Sequence, residues 1–232
     1  MDVNALHQGF IKGFKARGGT INYKAQVRSM QPSESGWTVR MGEEQVTARV
    51  IVNAAGAWAD EVGALANATS IGLQAKCRTA MLIDPPNNID VRAVPAIDIL
   101  GGDNYIKPEG QQLMVSPGDE TPVAPSDIQA DDLTIATLVD WLERETHIEV
   151  ARVKHQWAGL RCFVSDGHPV VGFDPARPGF FHLAGQGGYG IMMSSALGRA
   201  AASLIVKNHL PDDFINAGID ALALGVQRKL DP

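Results

Sequence analysis

The sequence predicts a mixed α/β fold of the α+β kind. Segments with apolar residues at helical spacing open, divide and close the chain, and alternating or continuous apolar segments typical of strands fall between them. In two places an apolar strand ends in small residues or glycines just before a helix begins. The 232 residues, 45% of them hydrophobic, are enough for one large or two small cores.

The first part of the chain shows its elements through apolar spacing and glycine breaks. Helical spacing marks the opening segment, and alternation or a continuous apolar run marks the strands. The predicted elements are a helix with Val3, Leu6, Phe10 and Phe14 ended by Gly18-Gly19, a strand at 20–27, a hairpin of 37–41 and 45–53 around Gly42-Glu43-Glu44, a fully buried strand over Val50-Ile51-Val52, and a short helix after it.

The later elements are separated by proline-rich stretches, the longest at 117–125. Helix 131–146 is predicted from an apolar side made of Ile135, Leu138, Val139 and Leu142. The remaining predictions are strands at 77–84, 151–160, 169–173 and 179–184, a hairpin of 104–107 and 112–116 around Pro108-Glu109-Gly110, and a final helix ending near Val206.

Composition excludes several classes of protein. The net charge is −6 and there is no basic block, which argues against nucleic-acid binding. No apolar run approaches the roughly 18 residues of a membrane span, and the first ten residues lack a signal peptide's apolar region. Cys77 and Cys162 have no metal spacing and are expected to be reduced thiols. A cytoplasmic protein without a metal site is predicted.

A glycine cluster lies between the last predicted strand and the final helix. Gly185, Gly187 and Gly190 match the spacing of the dinucleotide fingerprint, but no strand precedes Asp212 and Asp213 after the helix, so we interpret the match as misleading. Glycines let a ligand approach the backbone, and a helix start offers free N–H groups and a positive dipole end. The cluster is therefore either a site for an anionic or electron-rich ligand or a tight structural turn.

Three segments together resemble flavoproteins of the D-amino-acid-oxidase superfamily. Residues 50–59, VIVNAAGAWA, resemble the segment that lies along the cofactor. Residues 157–161, WAGLR, with 166–172, DGHPVVG, look like the late substrate-and-flavin loop, and the glycine cluster resembles the C-terminal flavin contact. Within the superfamily, 104–108 and 185–191 look most like catabolic D-arginine dehydrogenases.

The resemblance implies FAD as cofactor and a two-lobed fold. The residues implied to contact the cofactor lie in the small-residue segment, the late loop and the glycine cluster. They are Ala54, Ala55, Gly56, Trp58, Gly159, Arg161, Gly185, Gln186, Gly187, Gly188, Tyr189, Gly190 and Ile191.

The resemblance also implies three residues that bind the substrate. Arg161 stands in an apolar stretch, where a buried guanidinium needs an anionic partner, and it matches the arginine that grips the substrate carboxylate; the alternative is a structural ion pair. Arg78 matches a second carboxylate-binding arginine, or is an exposed strand cation. Tyr105 matches a tyrosine that donates its hydroxyl to the carboxylate, or is an aromatic at the core edge. No catalytic base is assigned.

The chain departs from the family pattern at its start, where family members have a βαβ unit that binds the FAD pyrophosphate. We expect a two-lobed fold without that unit: 1–67 as part of the FAD lobe, 68–155 as the substrate lobe and 156–232 as the rest of the FAD lobe. A truncated product, a split subunit or a fragment would fit this pattern. Self-association, or pairing with the missing N-terminal half, is expected through the surface that the absent unit leaves uncovered.

The activity implied is oxidation of the Cα–N bond of a D-amino acid, with hydride transfer to flavin N5, to an imino acid and then a 2-oxo acid and ammonia. Three alternatives stay open: an amine oxidase of the glycine- or sarcosine-oxidase type, a 2-hydroxy-acid dehydrogenase, and a non-catalytic remnant that needs a partner chain to bind FAD. In the enzymatic readings the partner is a small amino acid, amine or hydroxy acid.

Overall fold

A computed structural model describes residues 2–87, 89–98 and 102–228, and it confirms a mixed α/β fold. The helices are α1 (Val3–Ala16), α2 (Ala59–Leu65), α3 (Asp132–Glu145), α4 (Gly190–Lys207), α5 (Asp212–Asn216) and α6 (Ala221–Leu224). The strands are β1 (Ser29–Ser33), β2 (Gly36–Met41), β3 (Glu44–Ala48), β4 (Ile51–Asn53), β5 (Gln74–Ile83), β6 (Ile97–Asp98), β7 (Tyr105–Glu109), β8 (Gln112–Ser116), β9 (Val153–Phe163), β10 (Val170–Phe173) and β11 (Phe180–Ala184).

The chain forms two compact units. Unit 1 consists of Met1–Gly72 and Ser165–Pro232, and unit 2 consists of Leu73–Val164. The second boundary falls later than the one expected at 155/156, because β9 pairs along its whole length with β5 and so stays with unit 2. The assignment of the units to cofactor and substrate remains a prediction.

Unit 2 is an antiparallel sheet with α3 on one face. Its strand order is β6-β7-β8-β5-β9. Inward side chains of β5, β7 and β8 meet the apolar stripe of α3, since residues two apart on a strand share a face and residues three or four apart on a helix share a side. The core consists of Met81, Ile83, Val91, Ile106, Leu113, Val115, Ile135, Leu138 and Leu142.

Unit 1 contains a meander, β1-β2-β3, and a mixed sheet of order β10-β11-β4. On one face of the mixed sheet Phe181 and Val171 pack against α4. On the other face Phe180 meets Trp37 of the meander edge to face, with ring centroids 5.9 Å apart. The mixed sheet is therefore buried on both faces in its central strand.

The strongly periodic helix predictions are confirmed. Asp2 caps α1 by accepting the N–H of Ala5 at 2.9 Å, and Asp131 caps α3 by accepting the N–H of Thr134 at 2.8 Å. The apolar side of α3 is buried, whereas α1 buries none of its residues and leaves Phe10 about half exposed.

Two strand predictions were wrong in the first part of the chain. Residues 20–27 form turns and irregular structure, because Lys24 takes a left-handed φ of 56° that interrupts an extended run. The predicted single strand 45–53 divides into β3 and β4, which join different sheets. The division follows from Ile51, whose N–H donates to Gly179 O at 2.9 Å and starts the parallel pairing with β11.

The strand predicted at 50–52 forms as β4, Ile51–Asn53, but it is not fully buried as predicted. In the described residues β4 has one neighbour, β11, and Val52 is 44% exposed.

After the glycine cluster, α4 is followed by α5 and α6 rather than by a strand in the part of the chain that the structure describes. This order agrees with the interpretation that the dinucleotide spacing is misleading.

Candidate functional site

The predicted substrate residues of β5 and β9 lie on one face of the unit 2 sheet. Arg161 pairs with Lys76, and two residues away Gly159 pairs with Arg78. Directly opposed residues in an antiparallel pair share a face, and so do residues two apart along a strand. Arg161, Lys76, Gly159 and Arg78 therefore share one face.

Tyr105 reaches the same face through two further register steps. Leu82, an even-numbered residue of β5 like Arg78, pairs with Met114 of β8. Ser116 lies two residues from Met114 and pairs with Tyr105 of β7. Period-two alternation thus places Tyr105 on the face of the two arginines, opposite the face that packs against α3.

Gly159 leaves open space on this face. A Cβ atom built on Gly159 would meet no heavy atom within 4 Å. Its neighbours two residues away on the strand are Trp157, whose ring stacks on His155 with centroids 5.5 Å apart, and Arg161. A position without a side chain between an aromatic ring and a guanidinium provides room for a small ligand.

The cations of this face have different partners. Arg78 donates from Nε to Asp119 O at 2.9 Å and from Nη2 to Glu120 Oε1 at 3.0 Å, while Lys76 Nζ lies 2.9 Å from Glu120 Oε2. Arg161 is half-buried, and no hydrogen bond or ion pair from another described residue reaches its guanidinium. The alternative of a direct structural ion pair for Arg161 therefore finds no partner in the described ranges.

The pKa of Glu120 reflects the charges around it. The hydrogen bond from Lys76 lowers the pKa of the Glu120 carboxyl most, partial burial opposes this, and the charges of Lys76, Arg78 and Arg161 lower it further. Arg161 thus acts on Glu120 through space without bonding to it. Lys76, Arg78 and Arg161 therefore all lie near the Glu120 carboxylate.

Two cofactor-candidate segments leave the same edge of the unit 1 sheet. β4 and β11 run parallel, with His182 opposite Asn53 at the carboxyl end. The segment 54–58 follows β4 directly, and the segment 185–191 follows β11. In α/β sheets ligands bind outside the carboxyl ends of parallel strands, so the register places these segments where a ligand is expected.

The glycine cluster presents backbone N–H groups at that edge. Gly185 and Gly187 have left-handed φ angles of 72° and 54°, which residues with a Cβ seldom adopt. α4 begins at Gly190, and Tyr189 at its N-cap position makes no side-chain capping bond. Ile191 is 50% exposed, so the first turn of the helix is open to a ligand.

Buried polar side chains hold these segments. Asn53 accepts from Ala55 N at 3.3 Å and donates to Ala59 O at 2.8 Å, which fixes the turn over 54–58. Beneath the neighbouring strand, Asp174 accepts from Thr69 N at 2.7 Å and lies 3.0 Å from His182 Nε2.

Arg228 fixes the loop that resembles the family's late loop. Its guanidinium donates to Asp166 Oδ2 at 2.6 Å and Oδ1 at 3.1 Å, to His168 O at 2.7 Å and to Pro169 O at 3.1 Å. The hydrogen bonds from Arg228 lower the pKa of the Asp166 carboxyl most strongly, with burial opposing. This loop is therefore ordered within unit 1 by its own residues.

Residues 1–204 match the family model described as DAO, FAD dependent oxidoreductase. The chain belongs to this family of FAD-dependent oxidoreductases. Family membership confirms the broad prediction from the sequence, and the narrower likeness to D-arginine dehydrogenases remains a prediction.

Individual relatives agree with the family. The FAD-dependent oxidoreductase domain-containing protein 1 of Xenopus laevis is 29% identical over 185 residues, 70% of this chain and 36% of the relative. The glycine oxidase of Geobacillus kaustophilus is 25% identical over 205 residues, 86% of this chain and 52% of the relative. The chain thus spans about half or less of the length of these curated relatives.

Solved structures show the same fold. The crystal structure of that glycine oxidase has a TM-score of 0.69 at 23% identity and covers 88% of this chain and 52% of its own. The L-amino acid deaminase of Proteus vulgaris has a TM-score of 0.75 at 13% identity, over 94% of this chain and 60% of its own.

The residues of unit 1 fit an FAD-type ligand in three respects. The uncapped start of α4 offers N–H donors to an electron-rich ring or an anionic group. Gly56, with φ 57° and no heavy atom within 4 Å of a built Cβ, leaves space beside the backbone of the other segment. Trp58 is 42% exposed and so available for contact.

In the described ranges no three His, Cys, Asp or Glu side chains come together as a metal site. None of the described helices has the length and hydrophobicity needed to cross a bilayer.

Three groups that shape the site escaped the sequence analysis: Glu120, Asp119 and Asn53. Glu120 and Asp119 lie in a proline-rich loop without periodicity, and only the pairing of that loop beside β5, where Cys77 N donates to Thr121 O at 2.8 Å, brings Glu120 to the cations. Asn53 did carry a signal, since a polar residue ending an apolar strand is typical of a side chain that holds the following turn.

Proposed function

We propose that this chain carries the cofactor-facing and carboxylate-binding residues of an FAD-dependent oxidoreductase that oxidises the Cα–N bond of an amino acid, a D-amino acid first of all. Family membership supports the FAD chemistry. The observation that carries the substrate class is Arg161, a half-buried guanidinium beside the open space at Gly159 that no other described residue reaches with a hydrogen bond or ion pair.

In this proposal Arg161 binds the substrate carboxylate. A guanidinium grips a carboxylate through two parallel N–H···O bonds, which fixes the acid's orientation as well as its position. Tyr105 is half-buried on the same face, and no hydrogen bond from another described residue reaches its hydroxyl, which is free to donate to the same carboxylate. Arg78, held by Asp119 and Glu120, adds charge from a fixed position.

Within unit 1 the cofactor would be held by the segments 54–58 and 185–191. Bound FAD supplies the acceptor for the hydride that leaves the substrate's Cα. The N–H groups at the start of α4 would stabilise negative charge on an electron-rich ring, by the logic of an oxyanion hole. The amino acid becomes an imino acid, which water hydrolyses to a 2-oxo acid and ammonia.

No side chain is assigned as a general base. A substrate with a neutral amine can lose its Cα hydrogen as hydride while the nitrogen lone pair forms the C=N bond, so the step needs no enzyme base. The protein's contribution is to orient the acid and to fix the charge around it.

A second candidate is oxidation of glycine or an N-methylated glycine. It is favoured by the match to a glycine oxidase over 86% of this chain. Turnover of D-amino acids, glycine, sarcosine and 2-hydroxy acids by the FAD-supplemented protein separates the candidates. Preferred turnover of 2-hydroxy acids would contradict both, since neither predicts oxidation of a C–O bond.

Replacing Arg161 tests the proposal directly. Arg161→Ala should raise the substrate KM at least about tenfold, on the order of 1.4 kcal/mol, because the carboxylate loses its partner. Arg161→Lys should also bind poorly, because an ammonium cannot hold both oxygens in one plane. The measurement is steady-state kinetics of the FAD-loaded protein.

Arg199→Ala is the matched control, since Arg199 is a surface arginine paired with Asp213 at 2.9 Å. It should leave KM unchanged. An unchanged KM in Arg161→Ala would remove Arg161 from the site and with it the main support for an acid substrate.

A further inference from the structure

Charged side chains lie side by side on three neighbouring segments of unit 2: Glu120 in the loop beside β5, Lys76 and Arg78 on β5, and Arg161 on β9. Pro122 bridges Lys76 on the edge of β5 away from β9, and the same register places Glu120 opposite Arg78. On the other edge of β5, Lys76 faces Arg161 and Arg78 faces Gly159. Glu120 is thus separated from Arg161 by the two cations that it binds.

Glu120 binds both of those cations at once. Its two oxygens lie 3.0 Å from Arg78 Nη2 and 2.9 Å from Lys76 Nζ. The Arg78 side chain is 13% exposed and the Glu120 side chain 44% exposed, so an internal carboxylate covers a largely buried guanidinium from the solvent side. Each oxygen of Glu120 stands where an oxygen of a second external carboxylate would bind.

Arg78 and Arg161 are diagonal neighbours on adjacent strands, which places their backbones roughly 7–8 Å apart. Long arginine side chains that start from backbones at this spacing can bind the two ends of a short dicarboxylate such as succinate. Arg78 is already paired with Glu120, whereas no hydrogen bond or ion pair from another described residue reaches the guanidinium of Arg161.

We propose that Glu120 determines the charge of the acids that this face accepts: by holding Arg78 and Lys76 it leaves Arg161 as the carboxylate site, so the face takes monocarboxylic amino acids and discriminates against amino dicarboxylates. This inference rests on the proposed role of Arg161 and extends it to a substrate class. A dicarboxylate would have to displace Glu120 or place its second carboxylate beside it, and like charges in contact repel.

Neutralising Glu120 tests the inference on the full chain without cofactor turnover. The probes are propionate and succinate, and ligand-detected NMR with calorimetry gives their dissociation constants. In Glu120→Gln the ratio of succinate to propionate affinity should rise at least about tenfold and fall again at high salt, because the freed cations are partly exposed. Adding Arg78→Gln to Glu120→Gln should abolish the gain.

The matched control is Glu109→Gln. Glu109 lies on the same face and pairs with Lys107, but on β7, three strands from Arg161 in the sheet order. It makes the same change in net charge, and the affinity ratio should stay within about twofold of the wild-type value. A second variant, Glu120→Ala, guards against a fold defect peculiar to glutamine.

The outcomes separate the two proposals. Propionate binding that depends on Arg161, with an unchanged ratio in both Glu120 variants, overturns the role of Glu120 and leaves the proposed function standing. If neither propionate nor succinate binds to the wild type or to the two Glu120 variants, the Arg161 site itself is overturned, and this inference with it. An equal rise of the ratio in Glu109→Gln would assign the effect to net charge and also overturn it.

Discussion

At the scale of single residues, Asp174 shows how a buried charge organises the neighbourhood of the cofactor candidates. Its side chain is fully buried, and it receives hydrogen bonds from Thr69 N at 2.7 Å and Ala176 N at 2.8 Å and contacts His182 Nε2 at 3.0 Å. Burial alone would raise the pKa of the Asp174 carboxyl, but the bonds from His182, Thr69 and Ala176 together lower it below its ordinary value. The carboxylate therefore ties the end of β10 to β11 and to the loop before β5.

Asp174→Asn should destabilise unit 1 by about 2 kcal/mol or more, since charge-assisted bonds to a buried group are each worth roughly 1.5–3 kcal/mol. The measurement is urea unfolding at pH 7. Asp213→Asn, which loosens the exposed pair with Arg199, is the control and should cost less than about 1 kcal/mol.

The same variant has a pH signature. Because the folded pKa of Asp174 lies below its unfolded value of about 3.9, its stabilisation is complete above that value and is lost as pH falls through the folded pKa. The difference in stability between wild type and Asp174→Asn should therefore shrink below about pH 4. A difference that stays constant down to pH 3 would mean that the carboxylate's charge contributes nothing.

At this scale the sequence points to a residue that conflicts with its surroundings. A guanidinium in an apolar strand needs an anion, which makes Arg161 a candidate; no protein partner reaches it in the described ranges, and its role stays a prediction. Glu120 carried no such conflict, because a carboxylate in a polar loop is ordinary. Its importance comes from a partner 42 residues away, which no local pattern specifies.

At the scale of elements, helices with strong periodicity and hairpins with glycine turns could be predicted, and register could not. Arg161, Arg78 and Tyr105 share a face because of three successive strand pairings. A shift of one pairing by a single residue would move the side chains of a strand to the opposite face of the sheet. The failed strand at 20–27 has the opposite cause: its composition suits a strand, but Lys24 turns the backbone away.

Gly179 directly precedes β11, and its carbonyl oxygen accepts the hydrogen bond from Ile51 N at the start of β4. It has φ 76°, and a Cβ there would lie 2.8 Å from Arg49 O and 3.1 Å from Trp37 Nε1. Gly179→Ala should therefore destabilise the protein by about 2 kcal/mol, from the left-handed conformation and from the clash with backbone. Chemical denaturation followed by circular dichroism measures the change.

Gly198→Ala provides the comparison for the same chemical substitution. Gly198 lies within α4, and a built Cβ meets nothing within 4 Å. Here alanine should stabilise by about 0.5–1 kcal/mol through helix propensity. Equal effects of the two substitutions would show that Gly179 is not required by its conformation.

At the scale of the whole molecule, each unit contains its own core and its own set of candidate residues. The cofactor candidates gather at the carboxyl ends of β4 and β11 in unit 1, and the substrate candidates gather on one sheet face of unit 2. Gly159 and Arg161 are the exceptions, since they are cofactor candidates within unit 2. The proposed function therefore divides into two binding properties that can be disturbed one at a time.

One substitution in each unit, each measured for both FAD binding and propionate binding, tests this division. Gly187→Val forces a branched side chain onto φ 54° within the cofactor segment 185–191, and it should weaken FAD binding at least about tenfold while propionate affinity stays within about twofold. Arg161→Ala should abolish propionate binding and change FAD affinity far less, because the backbone donors of unit 1 remain. FAD binding is followed by the flavin absorption bands, and propionate by calorimetry. A wild-type chain that is colourless once excess FAD has been removed would instead support a remnant that needs a partner chain. Equal loss of both ligands in both variants would contradict the division.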